Sequence, residues 1–360
     1  MSKTAGNTTS SPPTVGVEEE FLLVDPETGA PVARNGEVAR HAALHGVDLQ
    51  LELTSCQVEA ATGVCDSRAE LLRQIRGLRS AAAESAQSCG ARLLAVALPP
   101  TVPDEYPVTD TPRYRAIGER FGMIAHEQGI SGCHVHVAVP DREVAVGVCT
   151  RLRPWLPLFP ALSANSALFR NTDTGHASWR HILWARWPSA GPPPHLESAA
   201  DYDRAVQMLL DTGAALDEGM IYWDARPSAN FPTVDVRAGD VPATATETVL
   251  LATLVRAAVM TAVAHIERGL PPPRVGDHEL RARYWRCARD GLEGGTPKLL
   301  GALVAELRPA LEELGEWDYV KDELDRVSQE GNGAMRQRRA WRRRGEIADV
   351  VADGIAATVR

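Results

Sequence analysis

The sequence predicts an α+β fold in which one face of a sheet is charged and helices cover the other face. Four segments alternate polar and aliphatic residues with the two-residue period of a strand. Helix signals fall between these segments. Hydrophobic residues make up 44% of the 360-residue chain, which is enough for a sizeable core. We find no internal linker or repeat, so we expect a flexible polar tail over residues 1–13 and a single domain over residues 14–360.

The first predicted strand, residues 15–24, carries glutamates at alternate positions. Glu18 and Glu20 point to the same side, about 7 Å apart along the strand. The flanking aliphatic residues argue against a fully hydrated surface. Because two close carboxylates repel each other, a hard divalent cation between them is the favoured interpretation. A solvated acidic edge strand is the alternative.

Three further strands show the same pattern. Glu59 follows an alternating run of leucines, and His134 and His136 alternate with apolar residues. Asp235 and Arg237 share one side of the last strand. Carboxylates with imidazoles on one sheet face favour a site for Mg²⁺ or Mn²⁺, and the planar guanidinium of Arg237 suits a phosphoryl group.

Helices are predicted between and after these strands. Ser67 and Glu70 form a capping-box pattern for the first of them. The expected helices are 67–90, 111–129, one capped by Asp141, 198–218, a buried apolar one at 246–269, and a helical region from residue 278 onward. A buried strand is expected over 92–98. Residues 165–196 read as a long functional loop whose Arg170, Arg180 and Arg186 could reach an anionic ligand.

Composition excludes several classes of function. The net charge of -9 gives no support to a nucleic-acid partner. We find no run of 18 apolar residues and expect no membrane span. The six cysteines show no Cys-x-x-Cys spacing and suit reduced thiols in a cytoplasmic enzyme. Neither a P-loop nor a dinucleotide-binding glycine motif occurs, so a nucleotide would bind through metals and arginines.

Several motifs together resemble one family. They include Gly16-Val17-Glu18-Glu19-Glu20-Phe21, Gln57-Val58-Glu59, Gly132-Cys133-His134-Val135-His136-Val137, Ser163-Ala164-Asn165-Ser166, Thr174-Gly175-x-x-Ser178-x-Arg180, Trp187-Pro188-x-x-Gly191-Pro192-Pro193, Trp223-Asp224-x-Arg226-Pro227-Ser228, Thr233-Val234-Asp235-Val236-Arg237-x-x-Asp240, Trp285-Arg286-x-Ala288-Arg289-x-Gly291-Leu292 and Gly331-x-Gly333-Ala334. From about residue 14 to the end, the chain resembles the type 2 glutamate–cysteine ligase family, in its carboxylate–amine ligase branch.

This resemblance implies a glutamine-synthetase-like catalytic fold, a curved and mostly antiparallel sheet that forms a funnel with helices outside. It also implies ATP-dependent joining of the γ-carboxylate of L-glutamate to the amine of an amino acid, by default L-cysteine, through a γ-glutamyl phosphate. The expected partners are these small molecules and further copies of the chain, most simply in a homodimer.

The resemblance also assigns roles to residues. The implied metal ligands are Glu18, Glu20, Glu59, His134 and Asp235. Arg180 and Arg237 are the implied catalytic residues; Arg237 and Arg289 are implied for ATP binding; Arg180, Trp223, Arg226 and His136 are implied for substrate binding. The chain departs from the family pattern at Asp235, where Glu is usual, and at Arg283, where Asn is expected. These departures put the identity of the amine in doubt.

Four other interpretations stay open. The amine substrate could be another small amino acid, including a non-proteinogenic one. A metal-dependent hydrolase would need more histidines, for which His176 and His181 are available. A phosphotransferase and a binding scaffold without turnover complete the set. The basic run from Arg336 to Arg344 is either a solvated helix face or a contact for phosphate or an acidic tail.

Overall fold

The computed structural model describes residues 11–102, 106–127 and 129–360. The first ten residues of the expected tail lie outside this part of the chain. The strands are β1 (Val15–Val24), β2 (Leu49–Leu51), β3 (Gln57–Ala61), β4 (Arg92–Leu94), β5 (Gly132–Ala138), β6 (Leu168–Phe169), β7 (Thr172–Asp173), β8 (Ala225–Pro227) and β9 (Thr233–Asp240).

Helices account for most of the remaining chain. They are α1 (Asn35–Leu44), α2 (Arg68–Ser88), α3 (Pro112–Phe121), α4 (Met123–His126), α5 (Arg142–Leu152), α6 (Leu158–Ser163), α7 (Trp179–Trp184), α8 (Ala199–Asp211), α9 (Ala245–Glu267), α10 (Asp277–Asp290), α11 (Thr296–Glu313), α12 (Trp317–Glu330), α13 (Gly333–Arg344) and α14 (Ile347–Thr358), with a short 3-10 helix at Glu218–Met220.

One antiparallel sheet organises the described residues. Its seven strands run in the order β2-β3-β1-β5-β9-β8, and β4 pairs with the last three residues of β1. A separate hairpin joins β6 and β7. The predicted α+β fold, an antiparallel sheet packed with helices, is confirmed.

Strand register brings the predicted polar residues together. Glu18 lies opposite His134, Glu20 lies opposite Glu59, and His136 lies opposite Asp235. Since side chains alternate between the two faces of a strand, these residues all project from one face. We call it the charged face, and it comprises Glu18, Glu20, Glu59, His134, His136, Asp235, Arg226 and Arg237.

The opposite face of the sheet is apolar and forms the main core. Val17, Val135 and Val236 are at most 2% exposed and pack with α5, α9 and α11. Helix α9 is long and apolar enough to cross a bilayer, but 67% of its most apolar window is buried inside the protein. It is packed as a core helix, as its sequence predicts.

Several predicted boundaries are wrong. The predicted strand 92–98 ends at Leu94, because the chain then turns and Ala97 bonds to the backbone of Asn165. The helix predicted over 111–129 breaks at Gly122, whose φ of 54° lies in the region that favours glycine. The helix predicted over 198–218 ends at Asp211, with only a 3-10 turn beyond it.

Two local predictions also differ from the structure. Ser67 precedes α2, but its side chain accepts no capping hydrogen bond, and Glu70 instead pairs with Arg73. The segment 165–196 is not a structureless loop, since it contains the β6–β7 hairpin and helix α7. That helix carries Arg180 into the site described below.

Candidate active site

The charged face has opposite charge at its two sides. Strands β1 and β3, with the residues just after β2, contribute carboxylates, whereas β8 and β9 contribute guanidinium groups. Strand β5 lies between them and contributes two imidazoles. The carboxylates and the guanidinium groups therefore lie on one face of the sheet and are separated by the histidines of β5.

Two groups of side chains on the acidic side have the ligand geometry of a metal site. Oxygen or nitrogen atoms of Glu18, Glu59 and His134 lie within 4.8 Å of one another, and so do oxygens of Glu20, Glu52 and Glu59. Glu59 belongs to both groups. Four of the five predicted metal ligands are thus brought together, and Glu52 joins them.

The protonation of these carboxylates shows that they fit a cation. Burial, together with the neighbouring carboxylate of Glu20, raises the pKa of Glu52 to about 8. Burial and the charges of Glu52, Glu18 and Glu20 raise the pKa of Glu59 well above its usual range. Such groups require either protons or a positive ion, and carboxylate oxygens are the ligands that Mg²⁺ prefers. The donor set fits the divalent metal that the sequence predicts.

The two histidines hold Glu18. His134 Nδ1 lies 3.0 Å from Glu18 Oε2, and His136 Nε2 lies 3.2 Å from Glu18 Oε1. Burial alone would raise the pKa of Glu18, but the contacts with both imidazoles bring it far below its usual range. Burial alone would lower the pKa of His136, yet Glu18 and Asp235 raise it. Glu18 is consequently an anion at neutral pH.

Asp235 belongs to neither ligand group. Its Oδ2 accepts hydrogen bonds from Arg226 Nε at 3.1 Å and from Arg237 Nη1 at 3.0 Å, and the residue is 1% exposed. Burial raises the pKa of Asp235, but Arg237, His136 and Arg226 together hold it well below its usual range. The structure therefore does not place Asp235 with the other four predicted ligands; it places it as the anchor of two arginines.

A β-bulge directs Arg237 toward the acidic groups. Cys133 pairs with Gly239 and Val135 pairs with Val236, so Arg237 and Ala238 together face the single residue His134. Arg237 Nη1 lies 3.4 Å from His134 Nδ1. Bulges commonly re-aim a side chain beside an active site.

Arg180 reaches the charged face from α7. It is 2% exposed, and a Cβ on Gly132 would lie 2.5 Å from its Nη2. Only glycine therefore lets the guanidinium lie against β5. Its bonds to the carbonyl oxygens of Ala238 and Arg237 are long, at 3.5 Å, and its buried Nε has no hydrogen-bond partner among the described residues. The guanidinium of Arg180 is therefore weakly hydrogen-bonded within the described residues.

A buried hydrogen-bond network fixes the backbone of Arg180. Asp240 accepts bonds from Ser166 Oγ at 2.8 Å, from Ser178 Oγ at 2.7 Å and from the backbone N–H of Asn165 at 2.8 Å. Ser166 Oγ in turn accepts from the N–H of Arg180 at 3.0 Å. The residues around Asn165 and Ser178 thus position the backbone of Arg180.

These groups open into a cavity of about 170 Å³, which we call the active-site cavity. Acidic and basic side chains line its floor, and an aromatic wall faces them. The lining residues are Glu18, Glu20, Glu52, Leu53, Gln57, Glu59, Arg113, Tyr114, Ile117, Ile130, His134, Arg180, Trp184, Trp187, Gly219, Tyr222 and Arg237.

Several predicted site residues do not line this cavity. Trp223 is 7% exposed and packs edge-on against Tyr202. Arg289 lies on the surface, where it pairs with Asp290. Neither residue lines the active-site cavity, so their predicted roles in substrate and ATP binding stay predictions. His136 and Arg226 do not line the cavity either, but they contact residues of the charged face. His136 contacts Glu18, and Arg226 contacts Asp235.

The extra histidines needed for a hydrolase are elsewhere. His181 stacks on Tyr284 at 4.7 Å, and burial lowers its pKa to about 4. His176 lies beside Trp179, and neither histidine lines the active-site cavity. Of the other arginines of this segment, Arg186 pairs with Glu127 instead.

Sequence reasoning missed several lining residues, among them four with polar or aromatic side chains that bear on the chemistry. Glu52 had a detectable signal, since it alternates with Leu51 and Leu53 on the same polar side as Glu59. Tyr222 adjoins the predicted Trp223 and takes its place in the wall. Arg113 and Tyr114 come from α3, and nothing in their local pattern separates them from an ordinary helix.

The family model described as "Glutamate-cysteine ligase family 2" matches residues 14–353. The chain belongs to this family. It is therefore an enzyme of the ligase class, as the resemblance of its motifs implied.

Curated relatives support the family assignment over nearly the whole chain. A protein of Mycobacterium sp. (strain KMS) named "Putative glutamate--cysteine ligase 2-2" is 62% identical over 356 residues, which is 96% of this chain and 98% of the relative. A protein of Mycolicibacterium smegmatis named "Putative glutamate--cysteine ligase 2-3" is 60% identical over 362 residues, 97% of this chain and 99% of the relative.

Solved structures share the fold of this ligase at low sequence identity. A glutamate–cysteine ligase from Francisella tularensis in complex with AMP has a TM-score of 0.72 at 13% identity, covering 97% of this chain and 89% of that one. A bifunctional glutathione synthetase from Pasteurella multocida has a TM-score of 0.71 at 14% identity, with 96% of this chain matching 52% of that longer one.

Proposed function

We propose that this ligase joins the γ-carboxylate of L-glutamate to the amine of a small amino acid, using ATP. The observation that carries the proposal is the polarity of the charged face. Glu18, Glu20, Glu52 and Glu59 lie beside the guanidinium groups of Arg180 and Arg237 in one cavity. A triphosphate with its divalent cations needs both kinds of group at once.

The reaction has two steps. An oxygen of the γ-carboxylate attacks the terminal phosphorus of ATP, the bond to the bridging oxygen breaks, and ADP leaves with a γ-glutamyl phosphate in place. The amine nitrogen then attacks the acyl carbon, the carbon–oxygen bond to phosphate breaks, and the nitrogen loses its proton. The products are ADP, phosphate and a γ-glutamyl amide.

The chain's own residues supply charge and orientation for these steps. Arg237 is fixed by Asp235, and although burial lowers its pKa, that carboxylate raises it above the usual range, so it stays a cation. Arg180 lines the same cavity and makes only long hydrogen bonds to the backbone. Together they stabilise negative charge on the transferred phosphoryl group. Mg²⁺ held by the acidic groups would neutralise the triphosphate.

The aromatic wall bears on the choice of amine. Tyr114, Trp184, Trp187 and Tyr222 line the cavity together with the carboxylates. Burial raises the pKa of Tyr222 to about 12, although the charges of Arg113 and Arg237 lower it in part. Its hydroxyl therefore stays protonated. A small, weakly polar side chain fits this wall, and L-cysteine is the default. A non-proteinogenic amino acid of similar size fits it equally.

Two comparisons support the proposed reaction, the first its nucleotide and the second its two amino acids. The structurally similar ligase from Francisella tularensis was solved with AMP, an adenine nucleotide. The curated relatives carry the name of an enzyme that joins glutamate to cysteine. The sequence contains neither a P-loop nor a dinucleotide-binding glycine motif, so the ATP of this reaction would bind through metals and arginines, which the charged face offers.

The test is a substrate screen on the whole protein with ATP, Mg²⁺ and L-glutamate against a panel of amino acids. Mass spectrometry should detect ADP and one γ-glutamyl amide in equal amounts, and omission of glutamate should abolish both. A stable phosphorylated acceptor would indicate a phosphotransferase instead. Hydrolysis of an amide without ATP would overturn the proposal in favour of a metal-dependent hydrolase.

A further inference from the structure

A second cavity, of about 680 Å³, lies among α2, the residues after β4, the start of α9 and helices α12–α14. It shares no lining residue with the active-site cavity. Six arginines line it against three acidic side chains: Arg76, Arg326, Arg336, Arg339, Arg343 and Arg360, and Glu323, Glu330 and Asp353. We call it the arginine cavity. Its excess of positive charge is unusual in a chain whose net charge is -9.

Half of these arginines are neutralised within the fold. Arg336 makes a two-bond contact with Glu247, at 2.6 and 2.8 Å. Arg326 pairs with Glu323 and Glu330, and Arg343 pairs with Asp353. Two of these arginines, Arg336 and Arg343, belong to the basic run on α13.

The other three arginines keep their charge. Across the described residues, Arg76, Arg339 and Arg360 have no carboxylate oxygen within 4.0 Å. Arg339 donates only to the backbone carbonyl of Glu330. Arg360 is the last residue and also carries the terminal carboxylate, so the uncompensated charge at this surface comes from the exposed guanidinium groups of Arg76 and Arg339, which an anion can bind.

We propose that the arginine cavity binds a small molecule carrying two or more phosphate groups. Phosphate matches the planar donor fork of arginine, and several linked phosphates can reach Arg76 and Arg339 at once. The cavity has room for a nucleotide as well as for an inorganic polyphosphate. This site is additional to the ligase reaction and needs none of the carboxylates on the charged face.

A continuous chain of contacts joins this cavity to the active-site arginine. Gln337 lines the cavity and donates to the backbone and side-chain oxygens of Asn165, both at 2.9 Å. A Cβ on Gly333 would lie 2.1 Å from Asn165 Oδ1, so α13 and Asn165 are in close register. Asn165 bonds to Asp240, whose network holds the backbone of Arg180. These hydrogen bonds place the wall of the arginine cavity and the backbone of Arg180 in one network.

Calorimetric titration of the whole protein with tripolyphosphate in EDTA tests the proposal. EDTA removes the divalent cations that the active site is proposed to need. We expect one binding site per chain and an affinity at least about tenfold weaker in the Arg76→Gln/Arg339→Gln double variant, because two charged hydrogen bonds are lost. Arg342→Gln is the matched control, since Arg342 is exposed on the same helix and does not line the cavity.

A second arm separates this site from the ligase site and identifies the ligand's source. Binding should persist in Arg237→Gln, and titration with ATP in EDTA shows whether a nucleotide is preferred to the inorganic chain. Absence of binding, loss of binding in Arg237→Gln, or unchanged affinity in the double variant would each overturn the inference. If no ligase activity is found but binding behaves as expected, only the proposed function fails.

Discussion

The two faces of β1 use the same side chain in opposite ways. Glu18 and Glu20 point to the charged face, whereas Glu19 between them points into the core. Glu19 is 3% exposed and accepts two hydrogen bonds from Arg79, at 2.5 and 2.9 Å, and a third from Thr248 at 2.6 Å. Glu18 and Glu20 instead share their surroundings with further carboxylates.

The guanidinium of Arg79 is as fully bonded as its partner. Beyond Glu19, it donates to the carbonyl oxygens of Pro242, Ala243 and Thr358. It thereby ties α2 to the start of α9 and the end of α14. The comparison shows what separates the two kinds of carboxylate: Glu19 is paired with an arginine and a threonine, whereas Glu18 and Glu20 lie among further carboxylates and have imidazole and backbone N–H partners.

The largest expected effect follows from removing the negative charge of one carboxylate on the charged face. Glu18→Gln should lower turnover by at least about 10²-fold and weaken Mg²⁺-dependent ATP binding, because a neutral amide cannot replace the carboxylate toward a cation. The melting temperature should stay close to that of the parent, since the amide oxygen can still accept from His134. Steady-state kinetics and thermal unfolding measure the two effects. Near-normal turnover would remove Glu18 from the site.

A substitution of Glu19 tests the carboxylate that points into the core. Glu19→Gln leaves Arg79 charged and unpaired in the core, which should cost about 3–5 kcal/mol of unfolding free energy. Molecules that remain folded should keep their turnover. Urea denaturation measures the loss, with Glu37→Gln as control, because Glu37 forms an exposed pair with Arg34 and should contribute less than about 1 kcal/mol. A stability loss no larger than that of the control would contradict the assignment.

A smaller effect is expected on the basic side of the charged face. Arg237→Lys keeps the charge but loses the planar fork, so kcat should fall by about 10- to 100-fold while the protein stays folded. Arg226→Lys changes the other partner of Asp235 outside the cavity and should reduce kcat less. Equal kcat values for Arg237→Lys and the parent would assign Arg237 to a structural ion pair.

The alternation of residues predicts the charged face well. In β1, β5 and β9 the two-residue period fixes which side chains share a face, and antiparallel pairing then aligns Glu18 with His134 and Glu20 with Glu59. The alternation of side chains depends only on neighbouring residues, so it can be predicted from the sequence. The same rule, applied to the run before β3, would have added Glu52.

What the sequence does not contain is how distant elements meet. Tyr222 and Trp223 are neighbours of the same chemical type, and only packing against Tyr202 decides that Trp223 faces away from the cavity. Asp235 has the residue type of a metal ligand, but its contacts are set by Arg226, which belongs to another strand. Non-local contacts of this kind are settled by tertiary structure alone.

The smallest expected effect is a pH dependence of the stability that arises from Glu52, beside the charged face. In EDTA, the folded protein holds the pKa of Glu52 at about 8, against about 4.3 in an unfolded chain. Between these values the folded state binds more protons than the unfolded state, so stability should fall as the pH rises from about 5 to about 8. Glu52→Gln should make this fall shallower, and Mg²⁺ should do the same in the parent by replacing the proton. Urea denaturation at several pH values measures the slope, which Glu37→Gln should leave unchanged. Identical slopes in the parent and in Glu52→Gln would show that this carboxyl is already solvated or paired, and the contrast between the two faces of the sheet would then rest on Glu18 and Glu59 alone.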